Sequence, residues 1–177
     1  MLVVILNLTI DDVIQRYDNL NTVKADVVFY YKSGRRGNSE YENQYYSRIN
    51  KDIWKGEMTY QNNQFYYNFI SQKKGKPIEL FISVDLDQKD YTFEFKYDNK
   101  IQRVNAWNWA YFAIYKAPKA LKELGYEVIQ NGNWFIFKKG IRELRIYIDN
   151  NYKILRAEYY KRGAIKGILE FRNVIIE

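Results

Sequence analysis

The sequence predicts a mainly β (α+β) fold: a curved antiparallel sheet, or an unclosed barrel, of about ten strands covered by two or three helices. Three observations lead there. Apolar and polar residues alternate along most of the chain, Tyr, Phe, Ile and Val are abundant, and only two segments show helical spacing. So many strands accumulate twist and cannot stay flat, so the sheet curls, closes or splits. The few helical residues are then the cover for its apolar face. At 177 residues the chain fits one domain, 1–177, that buries about 70% of the surface its unfolded form exposes.

Residues 1–8, MLVVILNL, are apolar but far shorter than the roughly 20 residues of a membrane span. They read either as an ordinary buried segment or as the remnant of a signal peptide. Thr9 suits an N-cap, with Asp11 and Asp12 in the first turn and Ile10, Val13, Ile14 and Tyr17 at helical spacing; Asn19 and Asn21 close this helix. The period then changes to two, with Val23, Ala25, Val27, Phe29 and Tyr31 on one face of a strand. After a turn at Ser33–Asn38, strands are expected at Tyr41–Ile49, Ile53–Tyr60, Gln64–Ile70, Ile78–Val84 and Tyr91–Tyr97. Asn105–Leu124 is rich in alanine and aromatics and predicts a helical segment, split at Pro118 and stopped at Gly125. Strands resume at Tyr126–Gln130, Trp134–Lys138, Ile141–Asp149, Lys153–Tyr160 and Lys166–Ile176, with Asn131-Gly132 as a hairpin signal.

Composition excludes whole classes of chemistry. There is no cysteine, hence no thiol catalysis, cysteine–zinc site or iron–sulfur cluster; there is no histidine, hence no Ser-His-Asp triad and no histidine-ligated metal. No enzyme, cofactor or metal site is expected. Asp85, Asp87 and Asp90 lack the Gly and Glu of a calcium loop, Asp90 and Lys96 standing in those places, and read as a hydrated turn. Glu40 and Glu42 read as a solvated strand face, and Lys73, Lys74 and Lys76 around Gly75 as a polar hairpin. The net charge of +7 fits an anionic partner or the solvation of a large aromatic surface.

A curled sheet with helices across its mouth encloses apolar space that the helices either fill as a solid core or leave for a ligand. Alternation names Trp54, Met58, Phe65, Tyr67, Phe93, Phe95, Trp107, Phe112, Leu144 and Ile146 as its lining. One slip in register would exchange that set for its neighbours. The alternative is a single-stranded nucleic-acid or protein-interaction module, with Arg35, Arg36, Lys73, Lys74, Lys76, Lys161 and Arg162 in turns beside a sheet of aromatics.

Three passages carry a family resemblance. These are TIDDVIQRYDNLNTVKADVVFYY at 9–31, YSRINKDIWKGEM at 46–58, and 125–173 with GYEVIQNGNWFIFKK, IRELRIYIDNNYKILRAEYY and ILEFRNV. In this order they resemble the periplasmic lipoprotein carriers of the LolA/LolB-like superfamily. The resemblance implies a LolA-like fold and non-enzymatic, chaperone-like binding and transport of lipoprotein acyl chains or other lipids. It also implies a periplasmic location, a monomer, and transient contacts with inner- and outer-membrane transport components. Lys55 stands where the family's carriers have an arginine that holds the lid to the sheet, and Asp52 lies near the place of a family proline. The Asn105–Leu124 segment is the expected lid.

Overall fold

The computed structural model describes residues 8–32, 52–72, 78–97, 100–106 and 109–177. Helix α1, Ile10–Asp18, begins as its cap dictates: Thr9 Oγ1 accepts from the Asp12 backbone N–H at 3.2 Å, and Asp11 and Asp12 occupy the positive end of the dipole. A meander follows, made of β1 (Thr22–Tyr31), β2 (Ile53–Gln61), β3 (Gln64–Ser71), β4 (Glu79–Asp85), β5 (Asp90–Tyr97) and β6 (Lys100–Ala106). Two short helices come next, α2 (Trp109–Phe112) and α3 (Ala117–Glu123). The chain ends in β7 (Glu127–Asn131), β8 (Trp134–Lys139), β9 (Arg142–Ile148), β10 (Ile154–Lys161) and β11 (Ala164–Ile176).

All eleven strands join one open antiparallel sheet in the order β6-β5-β4-β3-β2-β1-β11-β10-β9-β8-β7. The first and last strands meet in its middle, Phe29 opposite Leu169, and the chain's midpoint supplies both edges. The unclosed antiparallel sheet, with three short helices among the described residues, is the fold the alternation predicts.

Turn chemistry sets the registers. Asn62 and Asn63 both hold positive φ between the paired Gln61 and Gln64, as a type I′ hairpin requires. Arg162 and Gly163 repeat that geometry between Lys161 and Ala164. At the far edge the turn residues are Gly132 and Asn133, one position beyond the expected Asn131-Gly132 pair, because Asn131 itself pairs with Trp134. Gly125, at φ +84°, ends α3 in a Schellman motif: Tyr126 N–H reaches Leu121 O and Gly125 N–H reaches Lys122 O.

One boundary changes. Asn105 and Ala106 are strand rather than helix, pairing with Thr92 and Tyr91 of β5. The open side of β5 presents unpaired backbone groups, and satisfying them outweighs the helix propensity of one alanine. The first described helical residues of the segment are Trp109–Phe112. The strand expected at Tyr41–Ile49, the pair Glu40 and Glu42, Arg35 and Arg36, and the Lys73–Lys76 hairpin lie outside the described residues.

The inner face is continuous from β1 to β5 and from β8 to β11, a single core that includes Val27, Phe69, Ile82, Phe137, Ile148 and Phe171. Gly56 marks a point where the backbone of β3 approaches β2 closely. It faces inward between Val27 and Phe69, and an added Cβ would stand 1.6 Å from the backbone oxygen of Asn68. Gly56→Ala should therefore destabilise the fold by about 3 kcal/mol, read as a lower urea midpoint. Gly167→Ala is the control, since its nearest new contact is Tyr30 O at 3.7 Å and it should stay within about 1 kcal/mol of the parent. Equal midpoints for the two variants would refute the close backbone approach at Gly56.

Candidate functional site

Because β6 and β7 are opposite edges, the segment between them must cross the sheet's inner face. It does so as a strap. Helix α2 lies against β4 and β5, α3 lies against β8, and α1 packs on α3. Pro118 sits in the first turn of α3, where its missing N–H costs nothing.

Phe112 is the strap's anchor over the first half of the sheet. Its ring packs edge-on against Phe29 (5.8 Å), Tyr67 (5.8 Å) and Phe93 (5.7 Å), and tilted against Tyr91 (5.3 Å). Edge-to-face contacts set the positive ring edge against the negative ring face, and each adds about 0.5–1.5 kcal/mol beyond area burial. The Tyr67 hydroxyl donates to Phe112 O at 2.6 Å, fixing backbone as well as ring. Over the second half, Tyr111 stacks tilted on Tyr159 at 4.6 Å and its hydroxyl lies 3.0 Å from that of Tyr126. Tyr115 accepts from the Ile154 N–H at 3.1 Å and meets Tyr17 edge-on at 4.9 Å.

Lys116, the lone charge in the run Trp109–Pro118, joins strap to α1: its ammonium donates to Tyr17 O at 2.6 Å and lies 5.6 Å from the Tyr60 ring centroid. Burial pushes its pKa below the ordinary lysine value; Asp18 opposes that shift and Lys119 adds to it. Lys119 with Asp18 (3.1 Å) and Lys122 with Asp11 (2.9 Å) continue the row, but both pairs are exposed and each contributes little.

The structure brings together nearly all of the expected lining. Trp54, Met58, Phe65, Tyr67, Phe93, Phe95, Leu144 and Ile146 are buried on the inner face, and Phe112 packs on them half-buried. Trp107 lies outside the described residues. Lys55 is a correction. It is exposed on the face of β2 opposite Trp54 and Met58, so strand alternation points it away from the helices. The basic contact of the strap is made by Lys116 instead. Phe29, Tyr91, Tyr17 and Tyr115 also belong to the site; strand alternation was the signal for Phe29 and Tyr91, the helical spacing of α1 for Tyr17, and the aromatic run after Asn105 for Tyr115. Asp85 is turn chemistry, its carboxylate accepting from the N–H groups of Asp87 and Gln88.

The interior is apolar surface studded with tyrosine hydroxyls that are already engaged. Tyr17 donates to Tyr152 O at 2.8 Å, and among the described residues no buried side-chain polar atom lacks a partner. Also among the described residues, no group of three or more His, Asp or Glu is placed to hold a metal ion. Burial raises the pKa of Tyr17 and Tyr67 well above 10.0, the nearby Tyr115 adding to both. Burial likewise raises Tyr115 and Tyr111, the Tyr126 hydrogen bond adding to the shift of Tyr111.

The raised values have a sign. The unfolded chain releases these protons near pH 10 while the folded chain keeps them, so the stability they contribute is complete below about pH 9 and falls as pH rises through 10 and beyond. Urea unfolding followed against pH should show this loss, and Tyr17→Phe should make the slope shallower. An unchanged slope in that variant would remove Tyr17 from the effect.

Compared with protein-family models and with curated proteins, the chain matches none.

Proposed function

We propose that the chain is a non-enzymatic lipid-binding domain of LolA/LolB-like architecture, taking up acyl chains of lipoproteins or other lipids between sheet and strap. The observation that carries this reading is the seat of Phe112. A ring on a four-residue helix fills a socket of four sheet aromatics, and the Tyr67 hydroxyl holds the backbone of the same residue. When the strap lifts, the socket offers ring faces that accept a hydrocarbon chain, and the one hydroxyl it frees, that of Tyr67, exchanges Phe112 O for water. The order of parts agrees: a meander, a helical crossing over the inner face, and a returning meander. On this reading the domain works in the periplasm as a monomer and meets transport components of both membranes.

The burial of the aromatic faces counts against the nucleic-acid alternative. Bases stack on exposed rings, and here Phe65, Tyr67, Phe93 and Phe95 lie under the helices.

A fluorescent polyene fatty acid tests the reading. The parent protein should bind it, with blue-shifted emission that palmitate displaces. Phe112→Ala empties the socket of its resident ring, which removes a competitor and should raise the affinity by about tenfold. If neither protein binds the probe, the socket is core and the acyl-chain reading fails.

A further inference from the structure

Two ends of the sheet carry opposite charge. At one end, among the described residues, lie the turn Asp85–Asp90, the Asp149–Lys153 turn, Asp18 after α1 and Glu177 at the close of β11; the cations there are Lys89, Lys153, Lys116 and Lys119, the last paired with Asp18. At the other end the β8–β9 turn carries Lys138, Lys139 and Arg142, and the β10–β11 turn carries Lys161 and Arg162. Lys32, at the end of β1, joins them through its N–H to Lys166 O at 2.7 Å. Among the described residues, the acids nearby are Glu123, Glu127, which faces Lys138 across β7–β8, Glu143, which is held by Arg145 at 2.9 Å, and Asp52, which is buried beside the end of β1 and accepts from Ser71.

The register sets like charges opposite one another. Arg142 faces Lys139 on one side and Lys161 on the other. Directly opposed like charges repel, so this row concentrates positive potential at the strand tips and attracts anions. Two exposed aliphatic side chains lie among the cations: Ile141, in the β8–β9 turn, is 48% exposed, and Leu124, whose carbonyl accepts from Lys139 at 2.6 Å, is 51% exposed.

We propose that this end of the sheet docks on the surface of an anionic phospholipid bilayer. The cations meet lipid phosphates while Ile141 and Leu124 enter the headgroup layer. Strand tips β8 to β11 and β1 stand about 4.8 Å apart, a row of roughly 20 Å that suits a flat surface better than a point ligand. Aliphatic tips favour the bilayer over nucleic acid, because they bury in hydrocarbon but give a base nothing to stack on. The opposite charge of the far end orients the approach, and docking sets the C-terminal end of α3, the strap's last helix, against the lipid.

The proposal rests on the acyl-carrier reading for its purpose, while docking can be measured without any cargo. The full chain is floated with vesicles of phosphatidylcholine alone or mixed with phosphatidylglycerol. It should rise only with the mixed vesicles and less so in high salt. Lys161→Glu with Arg162→Asp suits both backbones, since Glu faces Arg142 and Asp tolerates positive φ. This pair should weaken partition to mixed vesicles by about tenfold or more. Ile141→Ser should weaken it several-fold with the salt dependence kept. Lys89→Glu with Lys153→Glu makes the same change in net charge at the far end and should leave partition as it was.

Equal loss in the far-end pair, no flotation of the parent, or displacement of bound vesicles by a single-stranded oligonucleotide would each overturn the proposal. A chain that floats but takes up no fatty acid retains the docking end and loses the carrier reading. A chain that takes up fatty acid without floating does the reverse.

Discussion

Consecutive strands β6 and β7 lie at opposite edges of the sheet, and this single connection shapes the rest of the molecule. Ten gaps between neighbouring strands would separate the edges of a flat sheet by about 48 Å. Helices α2 and α3, of four and seven residues, supply about 17 Å of axial length, and the remaining residues between 107 and 126 add roughly 30 Å if pulled straight. The strap would thus be taut across a flat sheet. It is not taut, because the chain reverses in the Schellman turn at Gly125. The edges must curl towards each other. That curl makes the inner face concave, and the strap that enforces it is also its cover.

Register is held from the outer face. Arg156 lies 3.0 Å from Glu158 on its own strand and 2.5 Å from Glu170 on β11, while Arg145 pairs with Glu143 and stands 4.3 Å over the Tyr160 ring. One partly exposed pair contributes little, but this set crosses three strands and is broken as a whole by a shift of one residue. At the seam between β1 and β11, Asn173 at φ +51° takes up an extra residue and donates to Asp26 at 2.7 Å. The bulge keeps Val174 and Phe171 both inward, which a regular ladder would forbid.

Much of this was legible in the sequence, for a physical reason. Side chains on a sheet with one buried face must alternate, so the pattern that names strands also names the core, and Trp54, Phe65, Tyr67, Phe93, Phe95, Leu144 and Ile146 share one side. Strand β6 was not legible. Its sequence, KIQRVNA, has a polar residue at four of its seven positions, and its pairing is decided by the open edge of β5, not by local propensity. Lys55 was misplaced because a resemblance transfers a residue type and not a side of the sheet. Lys116 could have been found, as a single charge within an apolar run next to a proline needs a partner to be buried beside. What no pattern gives is which ring fills the space under a strap, since that depends on where the crossing helix stops.

Magnitudes bear on whether the Phe112 socket can exchange a ring for an acyl chain. Withdrawing a half-buried phenylalanine forfeits about 1.5–3 kcal/mol of transfer free energy, and the edge-to-face contacts add a few more. The Tyr67 hydrogen bond adds about 1 kcal/mol, since water replaces it when the strap lifts. Against this, each buried methylene contributes about 0.8 kcal/mol, so a chain of some ten methylenes exceeds the loss with a margin left to bind. A chain of four or five would not. On the proposed reading the strap therefore acts as a length filter: short hydrocarbons cannot displace Phe112, and long ones can. The same closeness of the two terms makes release possible, because a returning ring recovers most of what a departing chain gives up.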